Sequence, residues 1–251
     1  MDLSARVIEV FSSIQGEGIY VGMPHLFVRF WDCNMSCHYC DTDYRGSYQE
    51  QNLEGLLTEV KGRIESEGPY HAVSLTGGEP LLWWKFLKEF FPRLKEMDQT
   101  IYLETNGTLA QALSEVLPWT DIIAMDLKPP SATADRAVWK EHEEFLRLAY
   151  ADVAAKGNNG FSMGTGSGHH REVFVKIVVT RDTLNDELER AWELVARVDK
   201  KIPVVLQPVT PFRQVKESIE PEQVEMWRRQ AGRILTDVRV IPQVHRILGV
   251  P

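Results

Sequence analysis

Short apolar runs of strand length recur along the chain at 25–30, 71–75, 100–103, 121–125, 173–179, 204–206 and 238–241, with helical patterns between them. In the clearest of these patterns, Leu53, Leu56, Leu57, Val60 and Ile64 share one helical face before Gly68-Pro69 stops the helix. Trp83, Phe86, Leu87, Phe90, Phe91 and Leu94 repeat it after the second run. Residues 184–198 and 221–235 do so later, the last with Pro221 at its first helical position. Strand and helix alternating about six times predicts parallel βαβ units with right-handed crossovers, hence a doubly wound sheet or a barrel, complete or open. In either, chemistry belongs where strands end and loops begin. A chain of 251 residues can bury a sizeable core as one unit, so no disulfide staple is required.

Charge narrows the partner. With 28 Lys and Arg against 36 Asp and Glu, the formal charge is -8. Nucleic-acid affinity rests on clustered cations that displace counterions, so a small-molecule partner is expected and nucleic acid is not. Residues 1–6 lack the basic start and apolar run of a signal peptide, and no stretch reaches about 18 apolar residues. A cytoplasmic protein with no membrane partner is expected. Residues 137–156 read as an amphipathic helix, followed by 157–170 with five Gly and little that is apolar. This helix and Gly-rich loop read as an insertion at about 137–170, either an active-site lid or a solvated linker.

The three cysteines of the chain all fall in Cys33-Asn34-Met35-Ser36-Cys37-His38-Tyr39-Cys40, just after the first strong strand. An odd, tightly spaced set argues for metal or redox chemistry rather than a disulfide framework. Thiolates are soft ligands for iron-sulfur clusters, zinc or copper(I). A closed zinc site needs a fourth protein ligand, for which His38 and His25 are the nearest candidates. Three thiolates on a four-iron cubane instead leave one iron open to a substrate or cofactor. Strand-end polar residues follow in series. Thr76-Gly77-Gly78-Glu79-Pro80 ends the second run, its glycines permitting close backbone approach and Glu79 offering an acceptor for an ammonium. Glu104-Thr105-Asn106-Gly107 and Asp126-Leu127-Lys128-Pro129-Pro130-Ser131 end the next two. Each is separately readable as a turn or helix cap, but together they converge on one site.

The spacing C-x3-C-x2-C with Tyr39 before the last cysteine, and the Gly-Gly-Glu-Pro loop, resemble the radical S-adenosylmethionine (SAM) superfamily. That resemblance implies a 4Fe-4S cluster on Cys33, Cys37 and Cys40. Its open iron chelates SAM, which one electron cleaves to a 5'-deoxyadenosyl radical. It implies SAM contacts from Tyr39, Gly77, Gly78, Glu79, Glu104, Asn106, Asp126, Lys128, Ser131 and Gln207. Within the superfamily, Ser12-Ser13-Ile14-Gln15-Gly16-Glu17-Gly18, Cys40-Asp41-Thr42 and the tail 242–251 resemble the 7-carboxy-7-deazaguanine synthases.

The family resemblance implies a fold and a chemistry. The fold is α/β, an open, shortened (β/α)6-type barrel with an N-terminal extension and a C-terminal closing segment, in a single domain over 1–251 and assembled as a homodimer. The chemistry is the radical ring contraction of 6-carboxy-5,6,7,8-tetrahydropterin to 7-carboxy-7-deazaguanine with loss of ammonia. Substrate contacts are then expected from Ile14, Gln15, Gly16, Glu17, Arg29, Thr76, His245 and the carboxylate of Pro251. Mg2+ is expected at Thr42, and an external one-electron donor such as flavodoxin. A pterin presents a donor-rich, guanidine-like edge and a carboxylate, which Gln15 and Glu17 and the cation of Arg29 respectively suit. Arg29 lies inside an apolar run, where an idle charge is costly. One departure is Asp32, where related chains often have Gly. Two rivals remain at this level: a glycyl-radical-enzyme activase, which shares the cysteine spacing, and a zinc-binding interaction module.

Overall fold

The computed structural model describes residues 3–42, 47–155 and 171–250. The Gly-rich segment 157–170 and Pro251 lie outside them. In chain order the elements are β1 (Ser4–Ile14), β2 (Pro24–Phe30), β3 (Gln49–Asn52), α1 (Leu53–Glu67), β4 (Ala72–Gly77), α2 (Trp84–Glu96), β5 (Ile101–Thr105), α3 (Ala110–Val116), β6 (Ile122–Asp126), α4 (Pro130–Thr133), α5 (Trp139–Ala155), β7 (Glu172–Val179), α6 (Asn185–Asp199), β8 (Val204–Pro208), α7 (Pro221–Ala231), β9 (Val238–Val240) and α8 (Val244–Leu248). All nine strands form one sheet in the order β3-β1-β2-β4-β5-β6-β7-β8-β9. From β2 to β9 the neighbours are parallel and run in sequence order. A doubly wound sheet reverses its strand order at a switch point. This one never reverses, so it winds as a barrel, and β3 and β9 stay unpaired with each other: the open form expected.

The N-terminal extension is itself a strand. β1 runs antiparallel to both β2 and β3. Its alternation of Ala5 and Val7 is broken by a register shift between Val7 and Glu9, which brings Val10 back to the core. β3 is Gln-Glu-Gln-Asn, polar throughout, and exists because β1 offers it an edge. Its last residue then caps α1, the Asn52 Oδ1 accepting from the Gly55 N–H at 2.8 Å.

A period of two sorts each parallel strand. Leu26, Val28 and Phe30 of β2, Val73 and Leu75 of β4, Leu103 of β5 and Ile177 of β7 join the large core beneath the helices. The alternate residues face inward, where Ala72, Tyr102, Ile122, Ala124, Phe174 and Val205 pack with Tyr20 into a second, smaller cluster. His25 is fully buried among them. Its Nδ1 meets the Ser74 hydroxyl at 2.7 Å and its Nε2 meets His71 Nδ1 at 3.1 Å, with Tyr102 edge-on.

Burial and the neighbouring His71 push His25 down from 6.5 to about 3. Between those values the unfolded chain holds a proton that the folded one lacks, so stability is full above pH 6.5 and is lost as pH falls toward 3. The slope expected is about 1.4 kcal/mol per pH unit for this one group. Denaturant melts of the protein and of His25→Gln between pH 7 and 4 check this, the variant losing one proton's worth of slope. Identical slopes would remove His25 as the cause.

Candidate active site at the cysteine loop

Two loops that leave adjacent strands are locked together at the rim. Gly77, the last residue of β4, has φ 125, and a Cβ there would sit 2.2 Å from the Phe30 carbonyl oxygen. Only glycine fits. The Gly78 N–H donates to the Phe30 carbonyl at 3.1 Å and the Glu79 N–H to that of Asp32 at 2.9 Å, tying the glycine loop to the start of the cysteine loop. Asp32 itself has φ 71, the left-handed region, which explains why a glycine suits this position and why a short polar residue is tolerated. Its carboxylate pairs with Arg6 at 3.3 Å, half-exposed and away from the cavity.

Beyond Asp32, the half-buried thiols of Cys33, Cys37 and Cys40 line one cavity with Met35 and Tyr39. Burial pushes Cys33 up to about 11 and also raises Cys37, so the protein field leaves them protonated and a bound metal would displace those protons to solvent. A single zinc on thiolates at about 2.3 Å needs sulfurs roughly 3.8 Å apart. Among the described residues the one set of three ligand-type side chains that closes within 4.8 Å is Glu17, Asp41 and His245, not the cysteines. The two candidates for a fourth ligand are also misplaced. His38 is exposed, and His25 is buried against Ser74 and His71. The donor set therefore suits a multi-iron cluster with an iron left open rather than closed zinc.

The inner face supplies the rest of the cavity, which encloses about 1330 Å³ including its mouth. Gln15 Nε2 donates to Glu104 Oε1 at 2.9 Å, and the Thr76 hydroxyl to Glu104 Oε2 at 2.7 Å. Lys128 Nζ contacts Asp126 Oδ2 at 2.7 Å and the Tyr39 hydroxyl at 3.2 Å. Burial alone would lower Lys128, but Asp126, Tyr39 and Cys37 around it raise it, so it stays charged. Lys176 hydrogen-bonds Glu17 and lies 3.6 Å from Asp126. Burial would raise the Glu17 carboxyl. The Lys176 charge and hydrogen bond, with Gln243 donating at 2.9 Å, instead carry it down to about 2. Two buried acceptors in the lining, Asp126 Oδ1 and Gln207 Oε1, have no partner among the described residues. Such atoms call for a ligand with donors of its own.

All the expected site residues line this cavity except Glu79, Ser131 and Pro251. Pro251 lies outside the described residues. Glu79 offers nothing to an ammonium: its fully buried carboxylate already accepts from the Leu81 N–H at 3.0 Å, the Thr105 hydroxyl at 2.8 Å and the Asn106 N–H at 2.7 Å. It knots the loops after β4 and β5, and burial raises it to about 7 against those bonds. Ser131 faces away toward α6, giving its N–H and hydroxyl to Glu187 at 2.8 and 2.6 Å.

Arg29 reaches the cavity while bonded to Glu9 at 2.8 Å and lying over the Phe11 ring. The Thr42 hydroxyl is buried and, among the described residues, makes one contact of 3.4 Å to the Gly77 carbonyl, which leaves lone pairs on its oxygen that suit a hard cation. Lys176, Asp41 and Gln243 were missed as site residues. Lys176 carried a signal, being the lone charge inside the apolar run 173–179.

The tail closes this side. The Val244 N–H donates to the Gly16 carbonyl at 2.8 Å, and Asp41 Oδ2 accepts from Arg246 at 3.0 Å.

The Radical SAM superfamily model matches residues 32–151. Over nearly full length the chain is similar to three curated proteins named 7-carboxy-7-deazaguanine synthase. That of Geobacter sulfurreducens is 35% identical, with 98% of this chain and 97% of that one covered. That of Archaeoglobus fulgidus is 34% identical, with 99% and 100% covered. That of Methanothermobacter thermautotrophicus is 32% identical, with 99% and 98% covered. Among solved structures, QueE from Escherichia coli superposes with a TM-score of 0.61 at 20% identity, covering 96% of this chain and 95% of that one. At that identity it shares the fold.

A Cβ on Gly16 would fall 2.2 Å from His245 Nδ1. Gly16→Ala is therefore expected to dislodge α8 while the cysteine loop stays intact. Hydrogen exchange over 244–248 should rise at least tenfold, with unchanged cluster absorbance after anaerobic reconstitution. Exchange as slow as in the parent protein would show that His245 does not seat on Gly16.

Proposed function

The chain belongs to the 7-carboxy-7-deazaguanine synthase family, and we propose that it contracts the ring of 6-carboxy-5,6,7,8-tetrahydropterin to 7-carboxy-7-deazaguanine with loss of ammonia. The observation that carries this reading is one cavity holding three cysteines, with no fourth protein ligand among the described residues, beside paired cations and acceptors. Cys33, Cys37 and Cys40 would hold the 4Fe-4S cluster. When bound, the cluster and SAM supply the one-electron chemistry that starts the reaction.

The protein's own residues divide the remaining work. The backbone of Gly77 and Gly78 and the unpartnered oxygens of Asp126 and Gln207 would receive SAM, with Tyr39, Glu104, Asn106 and Lys128 around it. Glu17 keeps an ionised acceptor at any working pH, and with Gln15 it would take the donor-rich edge of the pterin. Arg29 and Lys176 offer cations to the substrate carboxylate. Ile14, Gly16 and Thr76 shape the wall, and His245, with the Pro251 carboxylate, would close over it. Thr42 would present its hydroxyl to Mg2+, which fits a site with substrate oxygens completing the shell.

The continuous sheet supports a single working domain, and no described helix is long and apolar enough to cross a membrane. Reduction by an external one-electron donor such as flavodoxin is supported by the exposure of Ser36 and His38 in the cysteine loop, and the cytoplasmic setting rests on the sequence reading above. The homodimer rests on the family resemblance.

Anaerobic incubation with the tetrahydropterin, SAM and reductant should give the deazapurine by mass spectrometry. An intact cluster without that product would falsify the assignment. Cys37→Ala should lose the broad absorbance near 400 nm and all turnover. Arg29→Ala should keep the cluster and raise KM about 10- to 100-fold with kcat little changed, the loss of a charged hydrogen bond of about 1.5–3 kcal/mol. Loss of the cluster in Arg29→Ala would break this separation of roles.

A further inference from the structure

Asn106 does more than line the cavity: its Nδ2 lies 3.9 Å from Cys33 Sγ, at the long end for a sulfur acceptor. Among the described residues no other side chain hydrogen-bonds a cysteine sulfur. We infer that Asn106 is a positioning and tuning donor to Cys33, aimed by a closed ring with Asn34 and Thr108, and that it raises the reduction potential of the cluster. This rests on the cluster reading above.

The ring removes the usual freedom of an amide to flip. Asn106 Nδ2 donates to Asn34 Oδ1 at 2.8 Å, and Asn34 Nδ2 donates to the Thr108 hydroxyl at 2.8 Å. That hydroxyl donates back to Asn106 Oδ1 at 2.6 Å. Each member gives once and receives once, so the ring alone would run equally well in reverse. The Thr108 backbone N–H breaks the tie. It is a donor only, it meets Asn106 Oδ1 at 3.2 Å, and so it holds the oxygen toward Thr108 and the nitrogen toward Cys33.

The backbone of Asn106 is pinned as well. Its N–H donates to Glu79 at 2.7 Å and its carbonyl accepts from the Nε2 of fully buried His142 at 3.0 Å. Asn34 follows Cys33 directly, so the ring joins the cysteine loop to the loop after β5. A donor at a thiolate favours the more negative, reduced cluster, and therefore shifts the potential upward. A ring that only held the loops together would need no N–H toward the sulfur.

The test uses the anaerobically reconstituted enzyme, its iron and sulfide content and a potentiometric titration followed by electron paramagnetic resonance. In Asn106→Leu the oxidised-to-reduced ratio at the parent midpoint should rise about three- to tenfold, a fall of ~30 to 60 mV for a one-electron couple. Thr108→Val should shift the same way by less, and Thr108→Ser, which keeps the hydroxyl, should match the parent. An Asn106→Leu protein with a full cluster and the parent midpoint overturns the inference. If that variant loses its cluster the Thr108 pair decides, and equal midpoints in Val and Ser overturn it. A parent protein that takes up no cluster defeats the cluster reading itself, an outcome the iron and sulfide content reveals before any potential is measured.

Discussion

The period of two along the parallel strands, combined with a strand order that never reverses, is what the site depends on. Inward positions of successive strands stack around one interior, and at the carboxyl ends these are Arg29, Thr76, Glu104, Asp126, Lys176 and Gln207. Lower on the same face the residues are apolar or aromatic apart from His25 and Ser74, which bond each other. A buried charge is costly unless paired, and the pairs formed here line the cavity itself: Lys176 with Glu17, Lys128 with Asp126. Pairing keeps Glu17 ionised and the ammoniums of Lys128 and Lys176 charged in the empty cavity, so these charges are in place before any ligand arrives.

The second dependency is the junction of the two loops. Gly77 lets β4 pass directly under Phe30, and the positive φ of Asp32 turns the chain away from β2 into the cysteine loop. Glu79 then fastens both to the loop after β5 with a carboxylate that has no direct part in the cavity. The glycines and the glutamate of one motif thus act differently. The glycines give the backbone access to the ligand, and the glutamate gives the loops their mutual placement.

How much of this could be read beforehand follows from which signals are local. The parallel strands and their helices were legible because buried strands are apolar runs and the helices between them carry one apolar face. β1 was not, since its bulge interrupts the alternation, nor β3, whose four polar residues are a strand only by pairing. The cysteine loop was legible from spacing alone. Arg29 was singled out by the family resemblance, and its place in an apolar run added weight to it. Lys176 met the same criterion and went unnoticed, as no motif drew attention to it. Glu79 and Ser131 fall outside the cavity lining for one reason: both sit in motifs beside the site, but a sequence does not say which way a strand-end side chain turns. Their hydrogen bonds to Thr105, Asn106 and Glu187 do.

An open barrel leaves the rim incomplete between its first and last strands, and the tail answers that geometry. The chain leaving β1 and the chain entering α8 meet across the opening, Gly16 with Val244 and Glu17 with Gln243, while Arg246 reaches Asp41 beside the last cysteine. The contacts that replace strand pairing are thus made by residues of the site itself: Glu17 grips Lys176 and Gln243 at once, and His245 rests on Gly16. Closing the barrel and forming this wall of the cavity are one event, because strands alone do not complete the ring. A fully closed sheet would have spent those edges on backbone pairing and left no side chains there to read a substrate.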